Sequence, residues 1–151
     1  MQYWLIKSEP SVYSIDDLER DKTTYWDGIR NYQARNFLRD SMKVGDKIIF
    51  YHSNTEPPAA VGVAEVSKEG YPDFTAWDKE DPHFDPKSDP SNPTWYMVDI
   101  AFVKKFTHPL SLDAMKANPD LAGLMVIQKG ARLSVQPVSK EHFERLVQLG
   151  S

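Results

Sequence analysis

A chain of 151 residues without a single cysteine has the length of one ordinary domain, and it excludes disulfides, thiolate nucleophiles, cysteine-ligated zinc and iron–sulfur clusters. Apolar residues at 40% and charged residues at 26% describe a globular and not a disordered chain. The net charge of −4, from 18 Lys and Arg against 22 Asp and Glu, argues against a long phosphate-gripping groove and leaves room for a site that frames one nucleotide with a few local cations.

Tyr3–Ile6 is an apolar, aromatic run ended by Lys7-Ser8-Glu9-Pro10, a strand stopped by proline. The N-terminus carries no basic segment followed by an apolar run, and no apolar stretch of about 18 residues follows. The expectation is a cytoplasmic protein with no membrane role. Ser14 has the chemistry of an N-cap for a short helix through Arg20, with Asp16, Asp17 and Glu19 near its positive end. Trp26-Asp27-Gly28 reads as a loop. Asn31 caps a second helix to about Met42, whose apolar stripe is Ala34, Phe37, Leu38 and Met42.

Gly45-Asp46 is a turn, and Lys47–His52 is a strand rich in β-branched and aromatic residues. Pro57-Pro58 precedes a strand over roughly Ala60–Val66. Residues 70–94 hold five prolines and five aspartates without periodicity, which predicts a long functional or mobile loop. A strand over Trp95–Phe106, a short helix over Leu112–Ala117, a short strand over Arg132–Gln136 and a helix over Ser139–Leu149 complete the chain. Strands scattered among helices favour a single α+β domain over residues 1–151 with a mixed sheet.

Catalytic and metal signals are weak. The four histidines, His52, His83, His108 and His142, have no HExxH or i,i+4 pairing, so no metal is expected, and a His83/Asp85 chelate reads better as a solvated loop. No Walker loop, GxGxxG or nucleophile elbow occurs. An enzyme using Asp85 or His52 as acid or base lacks any supporting spacing. No cofactor is implied.

WDGIRNYQARNFLR, residues 26–39, is the most unusual segment. Trp26 and Tyr32 supply stacking faces, and Arg30, Arg35 and Arg39 supply cations, around a helix start whose free N–H groups favour a polar or anionic ligand. The bland alternative is an ordinary surface helix beside a core tryptophan. Ser8 either donates to a base edge or makes a turn bond. His52, Ser53 and Asn54 either reach into a barrel mouth or serve as strand-end turn chemistry. Asp27 either accepts from a cytosine amino group or caps a turn. Tyr71, Phe74 and Trp77 either form a flap or fill a satellite core.

YWLIKSEP, WDGIRNYQARNFLR, GDKIIFYHSN, VGVAEV, YPD and RLSVQPVS follow one another from Tyr3 nearly to the C-terminus, and together they resemble the EVE domain. The resemblance implies a PUA-like fold, a small curved β-barrel with flanking helices. It also implies kinship with YTH domains, which hold a methylated base in an aromatic cage. Lys7-Ser8, Trp26 and the Gly62–Glu65 strand are similar in layout to YTH. On that resemblance Trp26 is one cage wall, with Trp77 or Trp95 the second.

The expected site therefore comprises Lys7, Ser8, Trp26, Gly28, Arg30, Asn31, Tyr32, Arg35, His52, Ser53, Asn54 and Trp77. The expected function is a non-enzymatic reader of one modified base in DNA or RNA, with methylated or hydroxymethylated cytosine first. A sensor for a free nucleoside-like ligand is the alternative. A homodimer would supply additional contacts. Lys7, Arg30, Arg35 and Arg39 are expected to rim one concavity and give it a local positive field.

Overall fold

The computed structural model describes all residues, 1–151. Its centre is a six-stranded sheet in the order β2-β5-β4-β3-β1-β6. β1 (Tyr3–Ser8) runs parallel to β3 (Lys47–His52), and every other neighbour pair is antiparallel. The sheet is mixed, as scattered strands and helices predict.

Both faces of the central strands are buried, and alternation along them assigns each side chain to one face. Trp4, Ile6, Ile48 and Phe50 join one core, which α1 (Ile15–Asp21) and α2 (Tyr32–Asn36) cover. Leu5, Ile49 and Tyr51 join a second core, covered by α3 (Leu112–Ala117) and α4 (Lys140–Gly150). A sheet covered on both sides explains why β1 and β3 read as continuous apolar runs and not as alternating ones.

The two long strands carry most of the sheet's irregularity. β4 (Ala59–Pro72) and β5 (Tyr96–Ser111) pair with four irregularities of register, and bulges of this kind increase local twist and bend a strand. The sequence pattern predicts shorter strands here. Its apolar signal stops at Val66 and Phe106, whereas the ladder continues through solvent-facing residues. The two ends of the sheet, β2 (Thr23–Trp26) and β6 (Val135–Val138), are not paired with one another.

Caps set the helix starts as expected. Ser14 and Asp17 form a reciprocal capping box, Asn31 Oδ1 accepts from Ala34 N at 3.0 Å, and Ser139 caps α4. The second helix widens after Asn36 into a π-helical turn over Phe37–Ser41. Ala34, Leu38 and Met42 nonetheless remain buried, with Phe37 packed against the same core. A buried Asp46 ties the N-terminal strand to the Gly45 turn by accepting from Trp4 Nε1, Gln2 N and Lys43 N.

Thr23–Trp26 is a strand where the sequence reading places only a loop; it lies at a sheet edge and is four residues long, too short for a periodicity signal. Residues 70–94 are more ordered than a structureless loop. β4 reaches Pro72, a 3₁₀ turn spans Phe74–Trp77, and aspartates cap successive turns at Thr75, Glu80, His83, Lys87 and Ser91. The aspartates that suggested a solvated loop are local turn formers. No helix is long and apolar enough to cross a membrane.

Candidate functional site

A cavity of about 640 Å³ opens where the ends of β1 and β2 meet the segment carrying His83, within the range typical of small-ligand sites. Lys7, Ser8 and Glu9 enter it from β1 and its end, Thr24 to Ile29 from β2 and the following turn, and Tyr13, His83 and Ser134 from three further segments. Of the expected site residues, Lys7, Ser8, Trp26 and Gly28 line it.

Trp26 is half-buried. Its ring meets Phe50 edge-on at 5.6 Å and Tyr13 edge-on at 6.0 Å. One part of the ring thus packs on the core while the residue also borders the cavity. The Tyr13 hydroxyl donates to Asp21 Oδ2 at 2.9 Å, and burial followed by that bond pushes it up to about 12. Tyr13 is therefore a neutral phenol at physiological pH. Ser8 is nearly buried, and its hydroxyl donates to the Tyr13 carbonyl. Lys7 donates from Nζ to the Ala131 carbonyl at 3.2 Å, and burial holds its ammonium below the usual lysine range.

The opposite side of the cavity is polar. Asp27 Oδ2 lies 3.3 Å and Asp81 Oδ1 3.2 Å from His83 Nδ1, which has no well-aligned hydrogen bond of its own. Burial pushes the Asp27 carboxyl up, His83 opposes that, and Asp73 adds to it. The donor atoms of Asp27, Asp81 and His83 gather within 4.8 Å. With three donors and no fourth, and with Nδ1 facing two carboxylates, they make an electrostatic triad rather than a closed metal centre. Asp85 takes no part in this cluster and accepts from Trp95 Nε1 at 2.7 Å.

Gly28 makes the close approach of these elements possible. Its φ is +79°, and a Cβ there would stand 2.6 Å from His83 Nε2. Its N–H donates to the buried Asp73 Oδ2 at 2.9 Å. We expect Gly28→Ala to lose about 1–2 kcal/mol to backbone conformation and more to displacement of His83. Gly45→Ala, at φ +93° with nothing within 4 Å, should show the conformational loss alone. Thermal melts of the two variants give the comparison, and equal losses would mean that His83 yields freely.

The remaining expected residues stand elsewhere. Arg30 donates to Asp73 Oδ2 at 3.0 Å and twice to the His83 carbonyl, and its guanidinium lies over Trp95 at 5.4 Å. Trp95 stacks on Tyr32 with centroids 5.0 Å apart, and the Arg35 guanidinium lies over the Tyr32 ring at 5.1 Å. These contacts fasten the 73–95 segment to α2. Arg35 also donates to the Thr94 carbonyl, and Arg39 pairs with Asp40. The four cations therefore do not rim one concavity; only Lys7 lines the cavity, because the arginines are spent on stacking and on local carboxylates and carbonyls. Asn31 is committed to its cap.

Trp77 donates to Ser88 Oγ and does not line the cavity. At the end of β3, His52 Nε2 accepts from Ile15 N at 3.1 Å, with burial holding its pKa below the usual histidine range. Ser53 N donates to the Ser8 carbonyl, and Asn54 donates to Glu9. These three residues brace the end of β1 and leave the cavity to others. Tyr13, His83 and Ser134 are among the lining residues absent from the expected site; they come from separate segments, and no local pattern joins them.

A mixed six-stranded sheet covered by helices on both faces, with a cavity at the ends of two of its strands, defines an α+β domain. The chain belongs to the EVE domain family, whose model matches residues 2–149. It is 44% identical to thymocyte nuclear protein 1 of Rattus norvegicus over 97% of this chain and 73% of that protein. A hypothetical protein from Leishmania major superimposes with a TM-score of 0.94 at 45% identity, covering 99% of this chain and 94% of that one. The human thymocyte nuclear protein 1 structure in complex with 5-methylcytosine-containing DNA superimposes with a TM-score of 0.92 at 39% identity, covering 100% of this chain and 98% of that one.

These relatives correct the expectation of a cytoplasmic protein. The rat, chicken and human homologues all bear a nuclear name, and the absence of a helix long and apolar enough to cross a membrane does not distinguish the two compartments.

Proposed function

We propose that this chain is a DNA-binding reader that holds a single modified cytosine, with 5-methylcytosine as first ligand and the hydroxymethylated base as second. The observation that carries the reading is the cavity on Trp26, in a chain that superimposes along its whole length on a protein crystallised with 5-methylcytosine DNA. The base leaves its stack and lies against the accessible face of Trp26. Tyr13 supplies the second aromatic wall, for which Trp77 and Trp95 are the candidates by resemblance. Stacking returns about 1–3 kcal/mol per base and offsets an unstacking cost of a few kcal/mol, so affinity is modest and base-dependent.

A single lysine at the cavity, itself bonded to a backbone carbonyl, implies few phosphate contacts and hence a shallow dependence on salt. That scarcity, with the net charge of −4, also supports the free-nucleoside reading. Titration of tryptophan fluorescence with matched duplexes, methylated and unmodified, tests the proposal. Preference for the methylated duplex is expected, with DNA bound more tightly than RNA of the same sequence. Equal affinity for methylated and unmodified duplexes would refute it. Free 5-methyl-2′-deoxycytidine binding as tightly as the duplex would favour the nucleoside reading.

A further inference from the structure

We propose that Asp27 reads the amino-pyrimidine edge of the bound base by sharing one proton with it, so that base binding takes up a proton from solvent. The inference rests on the cavity reading above and specifies its chemistry.

Asp27 follows the stacking residue directly in the chain and lines the same cavity. Its side chain is 26% exposed, buried enough to lose most of its hydration and open enough to meet a ligand. A cytosine ring seated on Trp26 presents an N4 amino donor beside the N3 lone pair. A carboxylate satisfies the amino group but sets a second oxygen, with no hydrogen, against N3. One added proton removes that repulsion. One carboxyl oxygen then accepts from N4–H, and the other shares its hydrogen with N3. No bond other than the O–H is made, and the proton comes from solvent.

The surroundings prepare the group for this exchange. Burial disfavours the Asp27 anion, and Asp73 adds to that effect. The counterweight is His83, whose Nδ1 faces Asp27 and Asp81 together. His83 favours the ionised form of Asp27, while Asp81 faces the same imidazole. Lys7 and Glu9 are the other charged groups at the cavity; Lys7 donates to a backbone carbonyl, and Glu9 accepts from Asn54. The imidazole lies against Gly28, and its backbone carbonyl receives two bonds from Arg30, so its distance from Asp27 is set by the fold.

The test is calorimetric titration of the full chain with a short single strand carrying one 5-methylcytosine, from pH 5 to 8, in two buffers of different ionisation enthalpy. Wild type should take up a proton on binding, and its affinity should fall with rising pH toward the limit of roughly tenfold per unit for one linked proton. Asp27→Asn offers N4 an acceptor and N3 a donor without titrating. It should bind more tightly than wild type at pH 8, with a flat pH profile and no proton uptake. His83→Gln should keep the proton uptake, with the fall in affinity displaced to higher pH.

Wild-type binding without pH dependence or proton uptake overturns the inference and leaves the cavity reading standing. Retention of the wild-type profile in Asp27→Asn also overturns it and assigns the proton to His83. Failure of wild type to bind any modified strand at any pH removes the cavity reading and this inference together.

Discussion

Asp73→Ala should destabilise the domain by about 3–5 kcal/mol, the loss characteristic of breaking a buried charge pair from one side. The Asp73 side chain is wholly buried while Arg30 is a quarter exposed. The carboxylate accepts from the Gly28 N–H, from Arg30 Nη1, and from the backbone and hydroxyl of Thr75. Alanine would leave each of these donors facing a void. Burial raises the Asp73 carboxyl, but the bonds from Thr75, Gly28 and Arg30 together outweigh it and hold the group below the usual carboxylate range.

A carboxyl depressed on folding contributes stability that is full above the unfolded value and lost as pH falls through the folded one. Urea unfolding between pH 2 and 7 should therefore show wild type losing stability on the acid side, and Asp73→Ala losing much less there. An Asp73→Ala protein as stable as wild type at neutral pH would mean that water replaces the carboxylate. Because the same residue holds Gly28 and, through Arg30, the His83 carbonyl, the loss should also spread to the cavity.

Asp73 is instructive about what a sequence displays. It sits among five aspartates in residues 70–94, and only its burial separates it from four turn formers. Burial depends on β4 and β5 running together as far as Pro72 and Tyr96, a pairing of distant segments without local signature. Features fixed by neighbours in the chain were legible: the caps at Ser14, Asn31 and Ser139, the apolar stripe from Ala34 to Met42, and β3 to the residue.

The site divides along the same line. Trp26, Gly28, Lys7 and Ser8 are in strings long enough to resemble a family, and they do line the cavity. Arg30, Tyr32 and Arg35 are in such a string too, yet the structure uses them to stack the 73–95 segment on α2. Aromatic rings beside cations suit a protein segment as well as a base, and only the tertiary partner, Trp95, distinguishes the two uses. Tyr13, His83 and Ser134 reach the cavity from segments tens of residues apart, where no spacing rule applies.

Trp26→Ala should weaken binding of a methylated strand by about 1–3 kcal/mol for one lost stacking contact, or roughly 5-fold to 150-fold. It should also cost stability, because the ring is not purely a ligand platform. Its contact with Phe50 is a core contact, and Tyr13 leans on its edge. Since the residue is half-buried, the loss should fall below the ~3–5 kcal/mol of a fully buried aromatic truncation.

The two effects are separated by Phe37→Ala. Phe37 packs against Trp4 at 5.2 Å and against the same core without lining the cavity. It should lower the melting temperature comparably while leaving affinity for the methylated strand unchanged. Trp26→Phe supplies the converse, keeping an aromatic contact for Phe50 while offering the base a smaller face, so stability should recover further than affinity. If affinity follows melting temperature alike across all three variants, Trp26 is a core residue that happens to border a cavity, and the base must stack elsewhere.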